Sequence, residues 1–511
     1  MKKLLLFTLV VLLCTPVYLY AADDAKSATA VVTKGETKIT IGGELRFRGM
    51  YRHNVNDATN DGTTNYTKLN IVGYNIAAPV AYNVTTANGT NYTGSATNGT
   101  YTLGRRVVSS GDDHESWYDT RVRISTEIEV SDAVTAMIEL ESNTGDSDTT
   151  DVNMWGNSSG ATGIFASGNA KRGDLRLRQA WIQYVKNIFG VKIGHQPVVL
   201  GSGIFYDHST HGDDAIFLFA RPVKQLTIGA MTAKLKESTI NSPDDADLYT
   251  VLGIYKGESL NISGDVSYIN DQSFNSTATK AHLVNFGLRA DYTWKIVTIR
   301  GDVEVQTGTI DWSTKDRGRF RGLAFLTGLD YQVGPAKLTL EYGYGSGQAK
   351  DDTNVNDIKS FANTQNAEEK GYAYVYDYHL ANACTGLNGV SGGGSNLCNT
   401  MYLKGGVSAD ITKSLYGELY ALWLRAPKAT YMYDGQPSTD IGWEIDAKLA
   451  YKIASNLTYW VEGGYMITGG IYDRIKTETF TYTYPSGTAL TTYEYTRDNA
   501  YALRHGIMLT F

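Results

Sequence analysis

The 511-residue chain is poor in cysteine, proline and histidine, of which it has 3, 9 and 8. The histidines show no recognisable Ser/His/Asp arrangement, so the sequence predicts neither a hydrolytic enzyme nor a bound cofactor. Cys384 and Cys398 are the two cysteines beyond the N-terminal region, and an exported protein would most simply join them in a loop disulfide. Two cysteines alone do not predict a metal site.

Long apolar runs are absent after residue 22. The run from Leu4 to Leu13 follows two lysines and precedes Ala21 and Ala22, which is the layout of a cleaved export signal. It is too short for a membrane-spanning helix, which needs about 20 apolar residues. We therefore predict a signal peptide over residues 1–22 and a short periplasmic segment over residues 23–36.

The charge balance is acidic, with a formal net charge of −7. This argues against a nucleic-acid partner, which usually requires a basic patch. The chain has 53 glycines and 36 tyrosines but a negative mean hydropathy of −0.26. Such a composition is typical of a chain with many strands, in which only alternate residues are apolar, joined by polar loops.

A side-chain period of two runs through most of the chain. At the C-terminus, Tyr501, Leu503, Ile507, Leu509 and Phe511 share one parity, with small or polar residues between them. Similar segments bounded by turn residues predict eighteen strands. They lie near 37–52, 118–130, 133–144, 174–186, 189–196, 214–222, 225–235, 246–255, 259–269, 282–293, 296–306, 321–332, 336–344, 401–411, 414–425, 440–452, 456–468 and 500–511.

The connections between these strands alternate between short and long, with very long ones near 53–117, 345–400 and 469–499. This asymmetry is typical of transmembrane barrels with short periplasmic turns and long extracellular loops. A β-sandwich gives no reason for the alternation, and a β-helix would show a fixed repeat. We therefore predict an all-β fold, one transmembrane antiparallel β-barrel over residues 37–511, with about eighteen strands and sixteen as the alternative.

Charged residues fall on one parity of the predicted strands and apolar residues on the other. In segment 440–452, for example, Ile441, Trp443 and Ile445 are assigned to the lipid face and Glu444 and Asp446 to the lumen. The predicted pore-lining residues are Glu44, Arg46, Arg48, Arg121, Arg123, Glu127, Glu139, Arg176, Arg178, Arg300, Asp302, Glu304, Glu444, Asp446, Glu462 and Arg504. The arginines cluster early in the chain, which suggests a basic wall facing an acidic one. Ion pairs between neighbouring lumen residues are the alternative.

One glycine-rich loop, Gly201 to Asp214, follows the fifth predicted strand. We expect it to fold inward and narrow the pore, and the constriction candidates are Asp207, His208, His211, Asp213 and Asp214. His208 and His211 with their flanking aspartates are also the residue types that bind a metal, but their spacing fixes no coordination geometry, and no metal site is predicted.

Several segments resemble outer-membrane porins of the alginate-export type. They include IGGELRFRGMYR, DLRLRQAWIQY, GVKIGHQPVVLGSG and TDIGWEIDAKLAYKIASNLTYWVEGGYMITGG. The resemblance implies an eighteen-stranded passive pore and, in the alginate exporters, a basic conduit formed here by Arg46, Arg48, Arg121, Arg123 and Arg178. It also assigns the terminal Phe511 to recognition by the barrel assembly machinery. This chain differs in having at least as many lumen carboxylates as arginines.

Three functions remain open at this point. The first is a Gram-negative outer-membrane porin for passive diffusion of small polar or charged solutes. The second is an exporter of an anionic, alginate-like polysaccharide, and the third is a barrel that sheathes an electron-transfer partner. Outer-membrane lipid, lipopolysaccharide and the assembly machinery are the expected partners, and the sequence leaves monomer and trimer open.

Overall fold

The computed structural model describes part of the chain. These are residues 30–35, 37–55, 69–70, 80–85, 91–96, 100–101, 114–142, 175–237, 242, 244–273, 278–349, 352, 356–365, 371–377, 379–380, 383, 397–430, 437–483, 486–495 and 497–511. The predicted signal peptide lies outside them. None of the described residues belongs to a helix long and apolar enough to cross a membrane.

Eighteen strands form one closed antiparallel β-barrel, which confirms the predicted fold. Each strand pairs with its neighbours along the chain, and the last strand pairs with the first. The strands are β1 (Thr37–His53), β2 (His114–Ser131), β3 (Val134–Ser142), β4 (Leu175–Lys186), β5 (Phe189–Val199), β6 (Tyr206–Val223), β7 (Leu226–Lys236), β8 (Ala246–Lys256), β9 (Leu260–Asp271), β10 (Ala278–Trp294), β11 (Val297–Trp312), β12 (Leu323–Val333), β13 (Ala336–Gly345), β14 (Met401–Asp410), β15 (Leu415–Thr430), β16 (Ser438–Ala454), β17 (Leu457–Thr468) and β18 (Ala500–Thr510).

All eighteen predicted segments coincide with these strands, and the largest differences lie at strand ends. β6 begins at Tyr206 and not near residue 214, and β11 extends to Trp312 and not to residue 306. The connections at one end, which we call the short-turn end, contain two to four residues, such as 187–188 and 295–296. Asn187 and Lys295 both have φ of 55° there, the left-handed conformation that tight hairpin turns require.

Smaller elements accompany the barrel. The strand Ala30–Lys34, in the segment predicted to be periplasmic, pairs antiparallel with the start of β1. A four-stranded sheet contains Val80–Thr85, Asn91–Ala96, Arg474–Thr483 and Ser486–Tyr495, and Leu69–Asn70 pairs with Thr100–Tyr101. A 3₁₀ turn spans Gly470–Tyr472.

The seam between β18 and β1 closes the sheet down to the last residue. Leu509 pairs with Leu45, and the backbone N–H of Phe511 donates to Gly43 O at 3.1 Å. Gly43 N–H donates back to Phe511 O at 2.7 Å. A methyl group at Gly43 would lie 2.6 Å from the Phe511 ring, so the terminal aromatic packs against the backbone of the first strand.

The two faces of the barrel follow the predicted alternation. On β11, Ile299, Val303 and Val305 are 52%, 44% and 45% exposed on the outer face, whereas Asp302 and Glu304 are 1% and 0% exposed inside. A charge in the middle of the outer face would cost about 2–4 kcal/mol in a bilayer. The sequence pattern therefore fixes which face of each strand meets lipid.

β-bulges reverse this parity locally, and two of them illustrate the effect. On β16, Leu424 pairs with Gly442 and Arg425 with Asp440, so Ile441 is an extra residue and Gly442 adopts a φ of 135°. The assignment of Ile441 to the lipid face was therefore wrong, and its side chain is fully buried. On β4, the register shift at Arg178 exposes Leu175 and Leu177 before it and Ile182 and Tyr184 after it.

We expect deletion of Phe511 to reduce insertion into the outer membrane, because it removes both the seam hydrogen bonds with Gly43 and the terminal aromatic ring. Phe511→Ala keeps the backbone bonds and tests the ring alone. The measurement is the amount of heat-modifiable barrel in the membrane fraction. Wild-type yield of both variants would contradict the prediction.

We expect Val303→Arg to lower the free energy of unfolding in a bilayer by about 2–4 kcal/mol, because it places a charge near the middle of the outer face. Val297→Arg is the matched control on the same strand and face, at the short-turn end, where the cost should be about 0–1 kcal/mol. Denaturant titration in lipid vesicles measures both. An equal loss of unfolding free energy in the two variants would contradict the assignment of Val303 to the middle of the bilayer and of Val297 to its edge.

Candidate functional site in the barrel lumen

The predicted pore-lining residues lie on the inner face of the barrel. Arg176 is the most exposed of them, but it stands opposite Glu141, which is 1% exposed, and so shares the inner face. Arg46, Arg48, Arg121, Glu139, Asp302, Glu304, Glu444 and Arg504 are all buried, and Glu44, Arg123, Glu127, Arg178, Arg300, Asp446 and Glu462 are partly buried.

Along two rows, inward charges alternate in sign from strand to strand. One row runs through Glu418, Lys448, Glu462 and Arg504, which stand opposite one another on β15 to β18. A second row runs through Glu44, Arg123, Glu141 and Arg176 on β1 to β4. Cross-strand neighbours on one face lie close enough to form ion pairs. We call these two sets the alternating rows.

The ion pairs in and beside the alternating rows are close. Arg123 Nε donates to Glu141 Oε2 at 2.6 Å, and Arg504 Nε donates to Glu462 Oε1 at 2.6 Å. Further pairs join Arg121 to Glu44 at 2.6 Å, Arg178 to Glu139 at 2.6 Å, Arg48 to Asp119 at 2.8 Å, Arg300 to Glu341 at 2.9 Å and Lys448 to Glu462 at 3.3 Å. The expected separation into a basic wall and an acidic wall is therefore wrong, because carboxylates lie between the arginines.

Residues 200–205, the first inward segment, leave β5 and reach the inner face of β10 and β11. The backbone N–H of Ser202 donates to Asp302 Oδ2 at 2.7 Å, and the Ser202 hydroxyl donates to the same oxygen. Arg289 Nη1 donates to Gly201 O at 3.0 Å. Since β10 and β11 are not neighbours of β5 and β6, these contacts place the segment inside the barrel.

The inward loop is shorter than the sequence suggested. Residues 206–214 belong to β6, where Asp207 pairs with Val199 and is buried. Asp214 shares the outward parity of Ile216, its side chain is 76% exposed, and it contacts His195 Nδ1 at 3.0 Å. Asp214 is therefore not a constriction residue, because strand geometry turns it away from the lumen.

His208 and Asp213 form a small buried network at the start of β6. Asp213 Oδ1 lies 2.8 Å from His208 Nδ1, and Asp213 Oδ2 accepts from the Tyr206 hydroxyl at 2.7 Å. Thr364 Oγ1 lies 2.6 Å from His208 Nε2. The side chain of His211 lies outside the described residues. Within the part of the chain that the structure describes, no three His, Cys, Asp or Glu residues are arranged to hold a metal ion.

Residues 371–377, the second inward segment, contact the inner face of β14 and β16. The backbone N–H groups of Val375 and Tyr376 donate to Glu444 Oε1 and Oε2 at 2.5 and 2.9 Å, and Tyr374 N–H donates to Asp446 at 3.1 Å. Lys404 Nζ donates to Tyr372 O at 2.9 Å. Sequence reasoning missed this segment, because it lies in a long connection without a period of two.

Residues 356–365 connect the first inward segment to the wall, and Thr364 N–H donates to Phe205 O at 2.9 Å. Thr364 and Gln365 pair in parallel with Tyr206 and Asp207. Ala362 exchanges two hydrogen bonds with the Gln306 side chain, at 2.6 and 2.9 Å. Phe205, Phe361, Val375, Tyr376 and Leu422 are among the buried members of the apolar core that these segments build with the barrel wall. The lumen is therefore narrowed by packed segments.

Cys398 is disulfide-bonded and 1% exposed. It lies at the end of the connection between β13 and β14, next to Asn399, which donates to Ala383 O at 3.0 Å. Cys384, its predicted partner, lies outside the described residues.

Comparisons with known proteins show similarity of fold only. No protein-family model matches the chain, and no curated protein matches it. The resemblance to alginate-export barrels is not confirmed and remains a prediction.

Solved structures that resemble this chain are outer-membrane proteins of low sequence identity. Pseudomonas aeruginosa OpdQ is 10% identical, with 93% of this chain and 98% of that chain covered and a TM-score of 0.45. P. aeruginosa OccK5 (OpdH) is 10% identical, with 92% and 98% covered and a TM-score of 0.45. An anion-selective porin from Comamonas acidovorans is 10% identical, with 93% and 100% covered and a TM-score of 0.40.

Proposed function

We propose that this protein is a channel of the Gram-negative outer membrane through which small polar or charged solutes diffuse passively. One observation carries the proposal: a closed barrel of eighteen strands is apolar outside and lined by charged residues inside. An apolar outer face suits lipid, and a barrel of this strand number is wide enough to enclose water. Export by a cleaved signal peptide, insertion by the assembly machinery and contacts with lipopolysaccharide belong to the same proposal.

The alternating rows favour weak ion selectivity. An exporter of an anionic polymer needs cations that are free to contact the polymer along its path, whereas Arg48, Arg121, Arg123 and Arg178 each form an ion pair with a carboxylate on the same wall. Paired charges cancel over a few ångströms. A passing solute therefore meets both signs in turn.

The inward segments argue against a barrel that sheathes a partner. Residues 200–205 and 371–377 reach the wall near the middle of β11 and β16, where a partner protein would have to pass.

A cavity of about 340 Å³, lined by Gly201, Asp265, Arg289 and Asp291 among others, lies beside the first inward segment. That volume fits small solutes. We further propose that the protein catalyses no reaction and that residues 200–205 form the constriction.

We expect purified protein to form stable channels with a reversal potential near zero under a salt gradient in a planar bilayer, because both signs of charge line the lumen. Single-channel recording measures conductance and selectivity together. A strong preference for anions would favour the polymer exporter over the diffusion porin as the function of the channel. Absence of conductance from a barrel that is heat-modifiable, and therefore folded, would reject the channel.

We expect replacement of residues 201–205 by two glycines to raise the single-channel conductance, because it removes the segment that reaches from β5 to the inner face of β11. The matched control deletes Lys315 and Asp316, two exposed residues of the connection between β11 and β12. Unchanged conductance in the first variant, or an equal rise in both, would contradict the assigned constriction.

A further inference from the structure

Three carboxyl groups meet where the first inward segment touches the wall. Asp302 and Glu304 are two residues apart on β11 and share its inner face. A methyl group at Gly287 would lie 2.6 Å from Asp265 Oδ1 on β9 and 2.8 Å from Glu304 Oε2. Asp265, Asp302 and Glu304 are 9%, 1% and 0% exposed, and we call them the acid cluster.

Two oxygens of the acid cluster are left without a hydrogen bond. Asp302 Oδ2 accepts from Ser202, and Glu304 Oε2 accepts from Asn285 Nδ2 at 2.5 Å. Asp302 Oδ1 and Glu304 Oε1 are buried, and neither has a hydrogen-bond partner among the described residues. Leaving a buried charged oxygen unsatisfied is costly, and a proton on one carboxyl removes both a charge and a bare acceptor.

The charged groups that face the cluster do not neutralise it. Arg289 on β10 faces Asp302, but its Nη2 donates to Asp291 at 2.8 Å. Residues 200–205 carry no charged side chain. Lys256 lines the neighbouring cavity but is exposed. The other nearby cations are paired: Arg300 with Asp330 and Glu341, Arg321 with Asp357, and Lys359 with Asp352. One guanidinium thus faces four carboxyl groups, and at least one of them needs a proton to remain buried.

The first inward segment covers the Asp302–Glu304 pair. A methyl group at Gly201 would lie 2.8 Å from Asp302 Oδ2 and 3.3 Å from Glu304 Oε1, so the backbone of the segment lies directly over both carboxyls. Withdrawal of the segment would expose the pair to lumen water. A carboxylate is far more stable in water than in a buried site, so ionisation of both groups favours the withdrawn state.

We propose that Asp302 and Glu304 share one proton, and that loss of this proton releases residues 200–205 from the wall and widens the channel. The inference rests on the proposed channel function and adds a proton-controlled constriction to it. A protonated pair keeps the segment packed and the channel narrow at low pH. An ionised pair lets water reach β11, so the channel is wide at high pH.

The second inward segment provides an internal contrast. Glu444 and Asp446 are also two residues apart on one inner face, but both oxygens of Glu444 accept backbone N–H groups from Val375 and Tyr376. Three backbone N–H groups of the second segment thus donate to its carboxyl pair, whereas the first segment supplies one backbone N–H group and one hydroxyl.

The test is single-channel conductance of the full-length protein between about pH 4 and pH 9, a range that starts near the ordinary carboxyl pKa. Wild type should show a conductance step that rises with pH. Glu304→Gln, which mimics the protonated acid, should lose the step and stay at the low level. Glu258→Gln removes an exposed carboxylate from the turn between β8 and β9 and should keep the step.

A second measurement does not depend on ion flow. Ile204→Cys, at a position that is 8% exposed in the docked segment, is labelled with a small water-soluble thiol reagent, with and without Glu304→Gln, so that the pH dependence of the thiol itself cancels in the ratio of the two rates. The ratio should rise with pH as the segment withdraws. A flat ratio, or a conductance step retained by Glu304→Gln, overturns the proton control while leaving the channel intact. Failure of a folded barrel to conduct at any pH overturns the channel function instead.

Discussion

Closure of the sheet is the constraint on which the other features depend. A strand inside a bilayer has no water to satisfy its backbone, so β18 must pair with β1 along its whole length. Once the sheet is closed, the side-chain period of two divides every strand into a lipid face and a lumen face. Most charged residues of the strands then occupy the lumen face, and crowding there places many of them opposite one another as ion pairs.

The inward segments result from the same crowding. Buried carboxylates in the lumen need donors, and the backbone N–H groups of Ser202 and of residues 374–376 supply them. The apolar residues of these segments then share a core with inward positions such as Leu248 and Leu422. The segments are therefore part of the packed structure and are not loops resting in an empty pore.

The barrel was predictable because its signal is local. Alternation in β11 or β18 can be read from ten residues, and the strand count follows from adding such segments. The exceptions had non-local causes: the bulge at Gly442 that buries Ile441 depends on the register with β15. The second inward segment depends on contacts between residues about seventy positions apart, such as Val375 and Glu444. The interleaving of Glu44 and Glu141 with arginines also required the register, which parity alone does not give.

The alternating rows limit the distance over which the charges of the lumen wall act on an ion. Equal charges of opposite sign placed one strand apart, about 4.8 Å, form a chain of small dipoles whose potential falls off far more steeply than that of a single charge. An ion near the pore axis therefore experiences almost no net field from these rows, whereas one that touches them is held strongly. Added salt, which screens charges over about 8–10 Å, therefore changes the interaction between these rows and a distant ion very little.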